Sequence, residues 1–75
     1  MDDIEIAWEA VHAALDHRPG WEATRPQWHP DERRWVASAF YAGYLPRFDQ
    51  RPAVEARGTS EAEALMELAE ALGTH

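Results

Sequence analysis

Residues 53–73, with the sequence AVEARGTSEAEALMELAEALG, carry the clearest structural pattern in this chain. Val54 and Ala56 alternate with two charged residues, which predicts a strand with one buried face. Ser60 and Glu63 have the S-x-x-E spacing of a capping box. In that motif the hydroxyl accepts from a first-turn amide and the carboxylate reaches back to the cap amide. We therefore expect a strand, a turn and a closing helix here.

The predicted closing helix has an apolar stripe at steps of three and four residues. The stripe consists of Ala62, Leu65, Ala69 and Leu72, and it is widened by Met66 and Leu68. Gly58 is expected to supply the backbone freedom needed to leave the strand. Gly73 is expected to end the helix from a left-handed C′ position.

The chain upstream predicts a second amphipathic helix, which begins with a D-x-x-E capping pattern at Asp2. Its apolar positions step by four, three and four residues: Ile4, Trp8, Val11 and Leu15. That pattern predicts a helix of about 14 residues, a normal length for a globular protein. Pro19 and Gly20 end it.

Two further strands are predicted between the helices, over residues 21–28 and 34–41, joined by a polar turn into a hairpin. Pro26 cannot donate to a strand ladder, so the first of these strands is expected at a sheet edge or at a bulge. Residues 42–52 contain one glycine and two prolines and are predicted to form a loop.

The order helix, strand, strand, strand, helix predicts a single α+β domain over residues 1–75. A three-stranded antiparallel sheet with both helices packed on one face would bury both helical stripes. The predicted core draws on both helices and the central strand: Trp8, Val11, Leu15, Trp35, Ala37, Leu65, Ala69 and Leu72. Trp21 is expected to join this core, and Trp28 to be exposed.

Charge is segregated along the chain, whose formal net charge is −7. Residues 1–17 contain five acidic residues and no arginine, and residues 60–75 contain four acidic residues and no arginine. All seven arginines lie in residues 18–59, and lysine does not occur. Two acidic helices are therefore expected to flank a mildly basic centre.

Several classes of function lack support in the sequence. Cysteine does not occur, so disulfides and thiolate metal sites are excluded. His12 and His17 are five residues apart, which does not align two ligands on one helix face, and the four glycines are isolated from one another. No catalytic, cofactor or metal site is predicted. The acidic N-terminus does not fit a signal peptide, no apolar run is long enough to span a membrane, and a cytoplasmic protein is expected.

The predicted element order resembles the double-stranded RNA-binding domain over most of the chain. In that family the final helix starts with a basic S-K-K-x-x-A-K segment that clamps phosphates, and here the matching residues 60–66 are acidic. Residues 35–72, with WVASA followed by VEARGTSEAEAL, look like the small HicB-type antitoxin domain, which blocks a small basic toxin. The chain is also similar to small uncharacterised proteins of GC-rich bacteria and their phages.

Two functional hypotheses follow from these patterns. The first is a non-enzymatic module, a monomer or homodimer, that docks on a basic protein as an antitoxin or phage-encoded inhibitor would. Its binding residues are the acids of the last helix: Glu61, Glu63, Glu67 and Glu70. The alternative is a degenerate nucleic-acid-binding domain, disfavoured by those same acids, that uses central residues: Arg25, Arg33, Arg34 and Trp28.

Overall fold

The computed structural model describes residues 2–44 and 52–73. It contains two helices and four strands in the order α1 (Asp3–Leu15), β1 (Trp21–Ala23), β2 (Gln27–His29), β3 (Arg34–Tyr41), β4 (Ala53–Gly58) and α2 (Glu61–Gly73). The predicted α+β class and the antiparallel sheet are confirmed. Most of the loop expected over residues 42–52 lies outside the described residues.

Within the described residues the sheet has four strands, and the prediction of three is wrong in that respect. Strand β3 is central, with β4 along one side and β1 and β2 end to end along the other, all antiparallel. The strand expected over residues 21–28 is thus divided. Ala23 pairs with Ala39 and Gln27 pairs with Val36, so three residues of the edge lie opposite two residues of β3. This extra residue forms a bulge, and Pro26, which cannot donate to the ladder, lies within it.

The bulge determines which side chains of this edge lie on the helix face of the sheet. In an uninterrupted strand Trp28 would face away from Ala23, because side chains alternate between the two faces. The extra residue reverses the alternation, so Trp28 pairs with Trp35 and their rings lie 5.7 Å apart. Trp35 in turn packs against the core. The helix face of the sheet therefore carries both an aromatic edge and an alanine-lined centre.

The core lies between that sheet face and the two helices. Its buried residues are Ala7, Val11, Ala37, Ala39, Ala64, Leu65, Leu68 and Leu72. Four of the eight predicted core residues are among them, and the other four pack against the cluster while partly buried: Trp8, Leu15, Trp35 and Ala69. Trp21 also packs there, and Trp28 is 48% exposed, as expected.

The buried face of α2 is centred differently from the predicted stripe. Leu68 is completely buried, although the pattern placed it at the margin, and Met66 is 46% exposed. Ala64, which the stripe did not include, is also completely buried. Helix α2 packs on α1, β3 and β4 together, and three neighbours bury a wider arc than one periodic stripe indicates.

Two glycines have roles other than those predicted. Gly58 does not lead out of the strand, because it is the buried last residue of β4 and pairs with Trp35. A Cβ on Gly58 would lie 2.5 Å from the backbone nitrogen of Ala64, so the position requires space. Gly73 is part of α2, and among the described glycines a left-handed φ occurs at Gly20. The left-handed cap predicted at Gly73 is wrong.

The capping box of α2 is confirmed, with one difference in its partners. The amide of Glu63 donates to Ser60 Oγ at 3.1 Å, as expected for an N-cap. The Glu63 carboxylate accepts two hydrogen bonds from Thr59, one from the backbone nitrogen at 3.3 Å and one from the hydroxyl at 2.9 Å. The predicted donor to this carboxylate was the Ser60 amide. Glu63 is therefore held at the start of the helix by two hydrogen bonds.

Ser60→Ala is expected to lower the free energy of unfolding by about 0.5–2 kcal/mol, since the first-turn amide loses its acceptor. Ser60→Asp is the matched variant and should be tolerated, because a carboxylate can accept the same bond and suits the positive end of the helix dipole. Urea denaturation followed by tryptophan fluorescence measures both. Equal losses for the two variants would contradict Ser60 as the cap.

The C-terminal end of α2 is stabilised by a residue that follows α1. Arg18 Nε donates to the carbonyl of Leu72 at 3.1 Å, and its guanidinium lies 4.7 Å from the centroid of the Trp21 ring. A cation at this place complements the negative end of the helix dipole. Arg18 follows the end of α1 in the sequence, and the tertiary structure brings it to the end of α2.

Candidate protein-binding surface

The outer face of α2 carries three of the four acids predicted to bind a partner. Glu63, Glu67 and Glu70 are exposed, and Met66 lies among them. Residues three and four apart share one face of a helix, so these four form a continuous stripe opposite the buried leucines. Glu61 is only partly exposed, and it lies three and four residues before the buried Ala64 and Leu65. The structure therefore separates Glu61 from the other three.

Helix α1 carries a stripe with the same spacing, which the predicted site did not include. This stripe consists of Asp2, Glu5, Ile6 and Glu9, and all of these residues except Ile6 are acidic. Their steps along the chain are three, one and three residues, the same steps as in the stripe of α2. We call the two stripes together the acidic helix surface: Asp2, Glu5, Ile6, Glu9, Glu63, Met66, Glu67 and Glu70. Because α1 and α2 pack against each other on one face of the sheet, this surface forms the outside of the helix layer.

The acids of this surface differ in how firmly they are held. Glu63 bonds to Thr59, and Asp2 accepts from the amide of Ile4 at 3.5 Å as the cap of α1. Glu67 and Glu70 form no ion pair within residues 2–44 and 52–73. Like charges three and four residues apart destabilise a helix by a few tenths of a kcal/mol. The charges on α2 are thus unbalanced within its own helix.

Two apolar side chains interrupt the acids. Ile6 is 45% exposed and Met66 is 46% exposed. A single exposed apolar residue has no special meaning, but here each lies between acids on the outer face of its helix. The acidic helix surface can thus offer apolar contact within a charged border.

The residues predicted for nucleic-acid binding do not share one surface. Trp28 lies on the helix face of the sheet, against Trp35. Arg34 pairs with His29 and alternates with Trp35, so it lies on the opposite, open face, where Arg25 borders a depression. Arg33 lies in the β2–β3 turn with a φ of 54°. The aromatic residue and the arginines are therefore divided between two faces and a turn.

Acidic residues also accompany the cations of the open sheet face. Arg57 Nε lies 3.0 Å from Glu32 Oε1, and the same guanidinium lies 3.5 Å from Glu55 Oε2. His29 Nδ1 lies 3.3 Å from the other carboxylate oxygen of Glu32. These contacts are exposed, and two carboxylates lie against the Arg57 guanidinium, so this face does not present a uniformly positive surface.

The depression on the open face was not foreseen from the sequence, and it lies beside the bulge. It has a volume of about 290 Å³ and is bordered by Thr24, Arg25, Gln27, His29, Val36, Ser38 and Glu55. The hydroxyls of Thr24 and Ser38 are 2.8 Å apart and bond to each other. Ser38 is thus paired with a second hydroxyl.

The described residues contain no group of three or more histidine and acidic side chains placed to hold a metal ion. They also contain no helix with the length and apolar character required to cross a membrane. The double-stranded RNA-binding domain and the HicB-type domain are not supported as families, although the element order is compatible with the former. The chain matches no family model, no curated protein and no solved structure.

Proposed function

We propose that this chain is a non-enzymatic interaction module whose acidic helix surface binds a basic protein, as an antitoxin or a phage-encoded inhibitor does. The observation that carries the proposal is the pair of equally spaced acidic stripes opposite the buried faces of α1 and α2. Every arginine lies outside these two helices. Such a surface attracts a positively charged partner and accelerates its association.

The exposed apolar residues of the surface support a protein partner over a small cation. Ile6 and Met66 would contact apolar groups of the partner, and the acids around them would meet its basic border. Protein interfaces commonly combine an apolar centre with a polar rim, and methionine is enriched in them because it adapts to irregular surfaces.

Nucleic-acid binding is the weaker candidate for this chain. Affinity for a phosphate backbone comes mainly from clustered lysine and arginine side chains, and the acidic helix surface would repel phosphates. The arginines of the sheet face include Arg57, which two carboxylates already neutralise. A net charge of −7 adds long-range repulsion.

The test is to reverse Glu67 and Glu70 to arginine together. Glu63 stays unchanged, because its carboxylate bonds to Thr59 and its loss would weaken α2. The matched control reverses Glu22 and Asp31, which are exposed outside the helices, and it changes the net charge by the same four units. Purification from host extract, with mass spectrometry of what is bound, identifies the partners of each protein.

The wild type and the Glu22/Asp31 control are expected to recover the same basic partner, and the Glu67/Glu70 variant to lose it. With the purified partner, the wild-type association rate should fall as salt rises, and the helix variant should associate roughly tenfold or more slowly at low salt. The helix variant should also bind generic nucleic acid more strongly, because it supplies phosphate contacts.

Equal recovery of the same partners by the wild type and the Glu67/Glu70 variant would contradict the proposal. If the wild type shifted double-stranded RNA at physiological salt, and Arg25→Ala and Arg34→Ala weakened that shift, the open sheet face would become the binding surface instead. Circular dichroism spectra of all variants control for folding.

A further inference from the structure

The outer edge of β4 is a second surface with the properties of an interface. Strand β4 pairs with β3 over all six of its residues, and no described strand lies along its other side. Unpaired edge strands expose amide and carbonyl groups that can add another strand. Helix α2 covers one face of β4, and Ala53, Glu55 and Arg57 are exposed on the other face.

The residues of this edge are self-complementary in charge. Glu55 and Arg57 lie on the open face of the sheet, because they pair with Ser38 and Val36 of β3. Ala56 lies between them and faces the helices. If a second β4 strand runs antiparallel about a two-fold axis at Ala56, Glu55 of each copy lies directly opposite Arg57 of the other.

We propose that two copies of this chain associate through β4, antiparallel and with Ala56 opposite Ala56. Within one chain the Arg57 guanidinium lies 3.5 Å from Glu55 Oε2. Arg57 also lies 3.0 Å from Glu32 Oε1 of its own chain. The second copy would add the same Glu55–Arg57 pair in the opposite direction, so that four charges of alternating sign face each other across the two strands. Opposite charges that face each other across strands stabilise their pairing, whereas like charges in those positions disfavour it.

On the helix side of this junction, the contact would involve small side chains of β4. In the same register Val54 lies opposite Gly58, and Ala56 lies opposite itself, so small residues alternate with a larger one along the contact. The two sheets would then form one continuous sheet with both helix layers on the same face. An isologous contact of this kind is closed, because each copy uses the outer edge of its own β4.

The net charge of −7 on each copy opposes association at low ionic strength. At physiological salt the Debye length is about 8 Å, which screens distant charges but not those directly opposed across two strands. The contact is independent of the proposed partner on the acidic helix surface, so either proposal can fail without the other.

The experiment uses two reversals, Glu55→Arg and Arg57→Glu, alone and mixed. Each single variant places like charges opposite each other in its own homodimer. An equimolar mixture restores opposite charges in the heterodimer, because one copy then carries two cations at this edge and the other copy carries two carboxylates. Sedimentation equilibrium at physiological salt, up to millimolar concentration, measures the association, and native mass spectrometry separates homodimers from heterodimers.

The wild type is expected to dimerise. Each single variant should have a dimer dissociation constant roughly tenfold or more above that of the wild type. The equimolar mixture should form the heterodimer. A monomeric wild type at millimolar concentration, equal dimerisation of all variants, or a monomeric mixture would each overturn the proposal. Amide hydrogen exchange of the wild type gives an independent measurement. Residues 54–58 should exchange more slowly in concentrated than in dilute samples, and unchanged exchange would also overturn it.

Discussion

Leu65→Ala is expected to lower the free energy of unfolding by about 2–5 kcal/mol, the range for removing a large side chain from a packed core. Leu65 is completely buried, and with Leu68 and Val11 it is among the largest fully buried side chains of the described residues. Most other buried residues are alanines, which leave little mobile apolar volume to refill a cavity. Urea denaturation monitored by tryptophan fluorescence measures the loss.

The matched control for this variant is the neighbouring residue of the same helix. Met66 is 46% exposed, so Met66→Ala should change the free energy of unfolding by less than about 0.5 kcal/mol, as surface substitutions do. A loss below about half a kcal/mol for Leu65→Ala would mean that the buried face of α2 is assigned incorrectly.

Gly58→Ala is expected to cost about 1–3 kcal/mol or more, because the position is already fully packed. The added Cβ would lie 2.5 Å from the Ala64 nitrogen and 2.8 Å from the Glu63 carbonyl carbon. Both atoms belong to the backbone of the first turns of α2, so the whole helix must move away from β4. That movement would also disturb the capping hydrogen bonds of Glu63. Thermal and urea denaturation both report the effect.

A second glycine of the chain provides the control. A Cβ on Gly73 would have no neighbour within 4 Å, so Gly73→Ala should be neutral or should stabilise α2 by up to about 1 kcal/mol. If Gly58→Ala were as stable as the wild type, lack of space would not be the reason for glycine at this position.

The local features of this fold could be predicted because neighbouring residues specify them. The Ser60–Glu63 cap depends on two side chains three residues apart, and the helices depend on the repeated spacing of apolar residues. Strand β3 was predicted at its observed bounds from alternation alone. The acidic character of the helices follows directly from their composition. The exposure of Glu63, Glu67 and Glu70 follows from their positions outside the apolar stripe of α2.

The prediction failed where residues distant in sequence determine the structure. The division of the first predicted strand depends on pairing with β3, and the bulge at residues 24–26 exists only relative to that partner. Gly58 is constrained by Ala64 of the following helix, and Arg18 serves a carbonyl 54 residues away. None of these contacts leaves a periodic signal in the residues that make them.

The sequence by itself determined the two amphipathic helices, the central strand and the segregation of charge, since each rests on propensity or on spacing within a few residues. The tertiary structure alone decided that the acids of α1 and α2 share one outer surface while Glu61 lies apart from it. It also decided that Trp28 and Arg34 lie on different faces of the sheet, and that Glu55 and Arg57 share an edge along which no described strand lies. These relations depend on how the helices and strands pack, and packing is set by the burial of the whole apolar surface together.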